Sequence, residues 1–343
     1  MADRLKFVVV GSGRIGRRHG SMVKLNENAE LVAMIDTDDT LKEAVESEFA
    51  CPFFNSLEQY LESNLEADVI NICTPNHLHA AQSITAIESG HHVVVEKPMA
   101  LSKADAEEVI HKALQFDKRV FCVMQNRYSP PAKWLKEVVT SGVLGEIYMV
   151  NINCFWNRDD DYYKGGDPEY WKGKQAKDGG TLFTQFSHFV DTMYWLMGDI
   201  KHIKASFYDF NHQKTTEFED SGLVHFDFVK GGSGSFNYST SVYGQNMESS
   251  LSIIAQKGAV KVGGQYMNEI EYCHIEDYTM PELEDTLPPN DYGKYKGSAA
   301  NHQFVIQNVV NTLKQNEVVS TNSLEGLKVV EIIENIYREK QID

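Results

Sequence analysis

The chain has 343 residues, enough for two hydrophobic cores, and its apolar fraction is ordinary for a soluble fold. A formal net charge of -17, with no basic stripe or arginine-rich tail, argues against nucleic acid as the main ligand, although an acidic protein can bind an anion wherever the local field is positive. No apolar run is long enough to cross a bilayer, "MADRLKFVVVGSG" does not read as a signal peptide, and the five cysteines show neither disulfide nor zinc spacing, so a reducing cytoplasm is expected.

The first predicted element is a strand at 6–10, followed by Gly11, Gly13 and Gly16 and a periodic helix toward Leu25. G-x-G-x-x-G therefore stands between a strand and a helix, where the glycines permit a tight turn and close approach of a pyrophosphate to the helix amino terminus. Arg14 and Ile15 open that helix, and the strand predicted at 31–35 ends at Asp36. A carboxylate there suits the ribose hydroxyls and repels a 2′-phosphate, which favours NAD over NADP; Arg14 and Arg17 keep the phosphate alternative open.

Helices at 41–48 and 57–61 and a strand at 69–73 follow, then "TPNHLHA". Pro75 stops the strand and Asn76 caps a helix over 81–88. A strand at 91–95, a helix at 103–115 and a strand at 120–124 complete a βα rhythm that predicts a parallel sheet covered by helices, with ligands beyond the strand carboxyl ends. Thr74, Pro75, Asn76, His77 and His79 stand at one such end, and Glu96, Lys97 and Pro98 at another. Lys97 is placed to touch a ligand; the alternative is a solvated lysine paired with Glu96. His77 and His79 flank the same edge and read first as helix-start residues without a chemical role.

Taken in order, "VVVGSGRIGRRH", "NICTPNHLHA" and "VVVEKPMA" resemble the motifs of the Gfo/Idh/MocA oxidoreductases. The resemblance includes His19 in the first motif. It implies that Lys97 reaches both substrate and nicotinamide, that Glu96 and Gln125 lie on the cofactor side, and that Pro98 adopts an unusual peptide geometry.

After Met124 the rhythm changes. A helix at 132–141 and strands at 147–155, 203–209, 221–228, 232–238, 249–255 and 258–262 predict a largely antiparallel sheet, one side of which a partner subunit could cover. The expected fold is α/β: an N-terminal Rossmann dinucleotide-binding domain over 1–124, then an α+β substrate-binding and oligomerisation domain over 125–343, its last helix free to pack back on the first. The acidic stretch 273–294 reads as a loop, and a helix is expected from Asn301 and His302 to Leu313.

In "KDGGTLFTQFSHFVDTMYWLMGD", Thr184, His188, Asp191 and Trp195 recur at helical spacing. A lone histidine in an apolar helix is usually structural. By resemblance, however, His188 matches the family's catalytic histidine, while Thr184 stands where an aspartate often lies, so His188 must work with Lys97 or another partner. Gln185 is adjacent. With "NRDDDYYKG" and "QNRYSPP", this stretch is similar to the WlbA-type members of the family.

That similarity implies NAD-dependent oxidation of the 3-hydroxyl of UDP-N-acetyl-2-amino-2-deoxyglucuronate, in the making of lipopolysaccharide and other surface polysaccharides. His188 would take the proton and Lys97 would stabilise the oxygen, with the reverse assignment open. Tyr128 and Tyr163 are alternative proton donors.

A UDP-uronate needs contacts for its phosphates and carboxylate. Arg127 and Arg158 supported by Asn126 are candidates, with Lys164 and Lys172 further off, and Trp156, Tyr162, Tyr163 and Trp171 could face sugar or uracil. The alternative is a surface loop with ordinary aromatic anchors. Thr184 and Gln185 complete the substrate-binding candidates. The resemblance also implies a homo-oligomer, dimer or tetramer, and in some relatives 2-oxoglutarate reoxidises bound NADH.

Competing expectations are an inositol or free-sugar dehydrogenase of the same family, an NAD-dependent glycosidase, and a non-catalytic NAD(H)-binding protein. No metal cluster is expected: His91 and His92 would point to opposite strand faces, and 159–161 reads as a solvated acidic turn.

Overall fold

Continuous apolar runs build one sheet of the protein, and alternating runs build the other. The computed structural model describes residues 4–291, 296–315 and 317–340. Two compact units are present, Met1–Met124 with His302–Val330, and Gln125–Asn301 with Glu331–Asp343.

The sheet of the first unit contains β1 (Leu5–Val10), β2 (Ala29–Ile35), β3 (Phe53–Phe54), β4 (Val69–Ile72), β5 (His92–Val95) and β6 (Val120–Cys122). All pairings are parallel, in the order β3-β2-β1-β4-β5-β6. Val8, Val10, Ile70, Ile72, Val93 and Val95 form a core on one face, with Ala86 and Ile87 of helix His79–Glu88 and Val109 of helix Lys103–Gln115. Val9, Met34, Phe49, Phe53 and Cys73 form a second core. A parallel strand buried on both faces must read as nearly unbroken hydrophobics, as "FVVV" does. The strand order reverses between β1 and β4, and such a reversal opens a crevice at the strand carboxyl ends.

Helix His302–Gln315 belongs to this unit. Asn26 Nδ2 donates to Gln307 Oε1 (3.0 Å), and the Cys122 N–H donates to the Thr321 carbonyl (3.0 Å).

The sheet of the second unit contains β7 (Ile147–Phe155), β8 (Ile200–Tyr208), β9 (Ser221–Phe228), β10 (Ser233–Ser239), β11 (Glu248–Ala255), β12 (Gly258–Gly263) and β13 (Glu269–Ile275), in the order β13-β12-β11-β7-β10-β9-β8. Every pairing is antiparallel except β7 with β10. Alternate residues such as Val150, Ile152, Cys154, Phe236 and Tyr238 are buried. Phe186 and Phe189 meet Trp156 edge-on at 5.2 and 5.7 Å between ring centres. Tyr208, Leu223, Ile254 and Tyr272 remain exposed.

One expectation needs correcting. The loop expected from residue 273 begins later, because 273–275 complete β13 and 276–288 carry no strand or helix before the hairpin of Pro289–Asp291 with Lys296–Ala299. β13 pairs on one side only, so its "EIEYCHI" carries charges that disguise a strand as a loop. Residues 292–294 of that expectation lie outside the described residues.

Glu219 is buried in the second unit and accepts from the hydroxyls of Tyr337 (2.6 Å) and Tyr238 (3.0 Å). Burial pushes its pKa up to about 7, against those two hydroxyls. Unfolding releases it to ionise near 4.5, so the native state holds a proton that the unfolded chain loses between those values. Stability should therefore fall as pH rises through that window, by on the order of 3 kcal/mol once complete. Thermal melts of Glu219→Gln and the parent at acid and mildly alkaline pH should show the parent losing ground at the higher pH. A difference that does not change with pH would contradict this account of Glu219.

Candidate functional site

In the first unit the candidate residues gather at the carboxyl ends of β1, β2, β4 and β5. Gly11 has φ +93° and an added Cβ would lie 2.6 Å from the Cys73 carbonyl oxygen; at Gly16 it would lie 1.7 Å from the Gly11 oxygen. These two glycines are demanded by the protein's own backbone. Gly13 differs: a Cβ there would meet nothing within 4 Å, and the residue is exposed. Gly13 starts helix Arg14–Leu25 with no side-chain cap, leaving amide donors at that end for an anion. Arg14 and Ile15 form its first turn. Asp36 follows β2 and accepts from the N–H groups of Ser12 (2.7 Å) and Asp38 (3.0 Å). The open space at Gly13, the uncapped helix and the carboxylate fit a dinucleotide.

Past β4, the Thr74 hydroxyl donates to Gln82 Oε1 (2.6 Å), and Pro75 leads into a turn at Asn76–Leu78 in which Asn76 is buried. His79 is buried with Nδ1 2.7 Å from the Pro98 carbonyl and Nε2 2.8 Å from the Thr74 carbonyl, and a neutral ring, with one N–H, donates to one of the two. Burial lowers its pKa despite the two carbonyls.

Past β5, the Lys97–Pro98 peptide is cis. The Lys97 N–H donates to Glu96 Oε2 (3.2 Å), and the Lys97 side chain is partly exposed while Glu96 is buried. Glu96 Oε1 lies 2.9 Å from His19 Nε2 and 3.7 Å from His302 Nε2. Asn71 Nδ2 lies 3.1 Å from His19 Nδ1. With the Asn71 amide donating, His19 carries its proton on Nε2 and gives it to Glu96. Burial alone would raise the Glu96 pKa; His19 and His302 outweigh it and hold the carboxyl well below its usual range.

This buried cluster of His19, Glu96 and His302 escaped sequence reading, which had only His19 in a motif as a signal. Its ligand-type atoms lie within 4.8 Å of one another. The 2.9 Å contact is a hydrogen bond, so the cluster reads as a buried carboxylate hydrogen-bonded to His19 with His302 packed beside it.

In the second unit, residues 182–186 form a wide π-type turn running into helix Ser187–Met197. His188, Asp191 and Trp195 of the regular helix all reach residues 125–127. Gln125 Nε2 lies 3.3 Å from His188 Nε2 and donates to the Ser298 hydroxyl (3.0 Å). Arg127 closes on Asp191 through two bonds (2.8 and 2.6 Å), both side chains being buried, and lies 5.2 Å from the Trp195 ring centre. The Asp191 carboxylate thus neutralises one of the two arginines considered for an anionic group. Asn126 is buried with neither amide atom hydrogen-bonded among the described residues, as a side chain awaiting a ligand would be.

Arg158 is handled differently. It is 4% exposed and its guanidinium donates only to neutral acceptors: Gln185 Oε1 (2.7 Å), the Asn157 carbonyl (2.6 Å) and Asn246 Oδ1 (3.2 Å). It stacks between Trp156 (4.8 Å) and Tyr162 (5.1 Å). Among the described residues no carboxylate neutralises it, and a buried unneutralised cation calls for an anion. Gln185 Nε2 donates to the Tyr162 hydroxyl (2.9 Å), and Lys172 lies 3.9 Å from the Tyr162 ring centre. Burial would raise the Tyr162 pKa, but Lys172 and Arg158 lower it to about 8. Tyr163 is buried edge-on to His212 and Thr184 is buried in the wide turn. Sequence reading gave no sign of Asn246 or of the Asp191 pairing.

A parallel sheet reversing at its centre, a glycine-rich turn facing an uncapped helix and an acidic ribose position define a dinucleotide-binding oxidoreductase. Residues 5–123 match the family described as "Oxidoreductase family, NAD-binding Rossmann fold", and residues 132–261 match the GFO/IDH/MocA C-terminal domain. The WlbA dehydrogenase of Bordetella pertussis, solved with NADH and UDP-GlcNAcA, is 32% identical and superposes with a TM-score of 0.85 over 98% of this chain and 96% of that one. The WlbA dehydrogenase of Chromobacterium violaceum, solved with the same two ligands, is 31% identical with a TM-score of 0.87 over 99% and 94%. D-glucoside 3-dehydrogenase of Escherichia coli is 26% identical over 66% of this chain and 68% of its own length. The chain belongs to the Gfo/Idh/MocA family and is an NAD-dependent oxidoreductase. No helix among the described residues is long and apolar enough to cross a membrane.

The glycines separate fold from binding. Gly13→Val should keep the melting temperature near that of the parent and weaken NAD binding at least about tenfold in calorimetric titration. Gly16→Ala should fail to fold stably. Equal loss of stability in both variants would contradict this division.

Proposed function

We propose that the protein oxidises the 3-hydroxyl of UDP-N-acetyl-2-amino-2-deoxyglucuronate to the 3-keto sugar nucleotide. The observation that carries this reading is the match, at 32% and 31% identity across nearly the whole chain, to two dehydrogenases solved with UDP-GlcNAcA. The unneutralised Arg158, with Lys172 nearby, suits an anionic sugar nucleotide better than a neutral sugar.

Bound NAD supplies the hydride acceptor. His188 takes the hydroxyl proton on an imidazole nitrogen: Nε2, which faces the Gln125 amide nitrogen at 3.3 Å, exchanges that contact for the substrate hydroxyl. The Lys97 ammonium group stabilises negative charge on the same oxygen. Gln185 holds Arg158 for the anionic part of the substrate, and the Asn126 amide bonds to a polar group of it. Gly11, Gly13, Arg14, Ile15, Gly16, Asp36, Thr74, Pro75 and Asn76 form the cofactor side. Oligomerisation and recycling of NADH by 2-oxoglutarate belong to the same proposal.

Oxidation of an unphosphorylated glycoside or inositol is the second reading, favoured by the similarity to D-glucoside 3-dehydrogenase. Protein stripped of nucleotide, given NAD, 2-oxoglutarate and the UDP-sugar acid, should yield a sugar nucleotide lighter by two hydrogens in mass spectrometry. Lys97→Ala and His188→Ala should each lower kcat by about a hundredfold or more with NAD affinity little changed. Turnover of a free glycoside but not of the UDP-sugar acid would select the second reading.

A further inference from the structure

His212 and Asp220 are 1% exposed each, and neither belongs to the machinery assigned so far. The ring is caught between two acceptors: Nδ1 lies 3.1 Å from Asp220 Oδ2, and Nε2 lies 2.5 Å from the Arg158 carbonyl oxygen. A carboxylate and a carbonyl can only accept, and a neutral imidazole has only one N–H. Both contacts are satisfied together only when His212 is an imidazolium.

We propose that His212, held as a buried imidazolium by Asp220, is a positioning residue that fixes Arg158 for the anionic part of the substrate. This rests on the reading of Arg158 as a substrate contact.

The placement explains how the effect is transmitted. Asp220 Oδ2 also accepts from the N–H groups of Phe210 (2.9 Å) and Asn211 (2.7 Å), and Oδ1 accepts from the Ser221 hydroxyl (2.7 Å), so it is anchored to the β8–β9 connection and to β9. On the other side, the Arg158 N–H donates to the Thr240 carbonyl (2.8 Å) while His212 takes the Arg158 carbonyl. Both peptide groups flanking the Arg158 Cα are therefore held. The guanidinium can then reach Gln185 and Asn246 in one geometry, with no carboxylate among the described residues to fix it. Losing the His212 proton would place a lone pair against either the carboxylate or the carbonyl, and the carbonyl is the movable partner.

The groups facing the ring agree with this assignment. They are Asp220, Asp209 through its bond to the His212 N–H, the Tyr163 ring at 5.4 Å, the Ser241 hydroxyl at 3.5 Å and the Arg158 carbonyl. Burial would strip the proton, but Asp220, the Arg158 carbonyl and Asp209 outweigh it and raise the His212 pKa. Burial would raise the Asp220 pKa, but His212, Ser221 and the Asn211 N–H bring it down to about 2. The clamp is thus lost as pH rises through the raised histidine value.

The test uses the full chain. Nitrogen-15 NMR of histidine-labelled protein should show both His212 ring nitrogens protonated at neutral pH, and the Arg158 Nε–H resonance should shift as His212 loses its proton at higher pH. In turnover of the UDP-sugar acid, His212→Gln should raise KM about tenfold with kcat within about threefold, and NAD affinity should hold. Asp220→Asn, which keeps a hydrogen-bonding group but removes the charge, should move the alkaline rise in KM to lower pH.

Arg158→Lys separates the two claims. If it leaves KM unchanged, the assignment of Arg158 as a substrate contact fails. If it raises KM while His212→Gln changes neither KM nor its pH profile, the positioning role fails. A His212 ring that is neutral at neutral pH overturns the proposal whatever the substrate.

Discussion

A carboxylate withdrawn from water must find donors, and Glu96 finds them across the first unit. His19, from the helix after the glycine turn, donates at 2.9 Å, and His302, from a helix almost at the other end of the chain, stands 3.7 Å away. Asn71 of β4 sets the His19 tautomer. The same carboxylate receives the Lys97 N–H, so the residue that fixes the backbone of the proposed catalytic lysine is anchored to the cofactor-binding helix. Removing the His19 donor leaves the buried carboxylate short of a hydrogen bond, which costs about 1–3 kcal/mol or more in typical proteins. The turn therefore holds its shape because the fold around it cannot relax cheaply. The buried His79 ring packs between the Pro98 and Thr74 carbonyls and donates to one of them.

The two arginines of the second unit show why residue type alone does not mark a binding group. Arg127 and Arg158 are equally buried and both stack on tryptophan. Arg127 faces Asp191 in a bidentate pair, which satisfies its charge and fixes the start of the second unit to the helix carrying His188. Among the described residues, Arg158 donates to amide and carbonyl oxygens. Those acceptors orient a guanidinium without cancelling it. One arginine thus serves the fold, and the other keeps an electrostatic demand that a ligand can meet.

The Rossmann half was legible because its signals are local. Gly11, Gly13, Gly16 and Asp36 lie within one βαβ unit, and alternation of strand with helix is enough to imply a parallel sheet. The large antiparallel sheet was legible from the β-rich runs between turns, whereas β3 was too short to show a period and β13 was masked by edge charges. The site was legible only as a set of residue types. His188 and Asp191 could be placed on one helical face, but nothing local revealed that Asp191 belongs to Arg127. Likewise His302 reads as a helix start until Glu96 is brought beside it, and His212 as a turn residue until Asp220 and Arg158 enclose it. Each of these pairings depends on contacts between distant segments, which periodicity does not encode.

The acidity of the whole chain bears on solubility and encounter, and says little about the site. A net charge of -17 would repel a sugar nucleotide at long range, but salt screens exposed charges within about 10 Å. Around Tyr162 the local field is positive, since Arg158 and Lys172 flank it and shift its hydroxyl toward ionisation. Burial that makes Arg158 costly when empty makes an anion beside it worth more than at the surface. An acidic protein can then select an anionic substrate, because the decision is taken over a few ångströms where only neutral oxygens compete for the guanidinium.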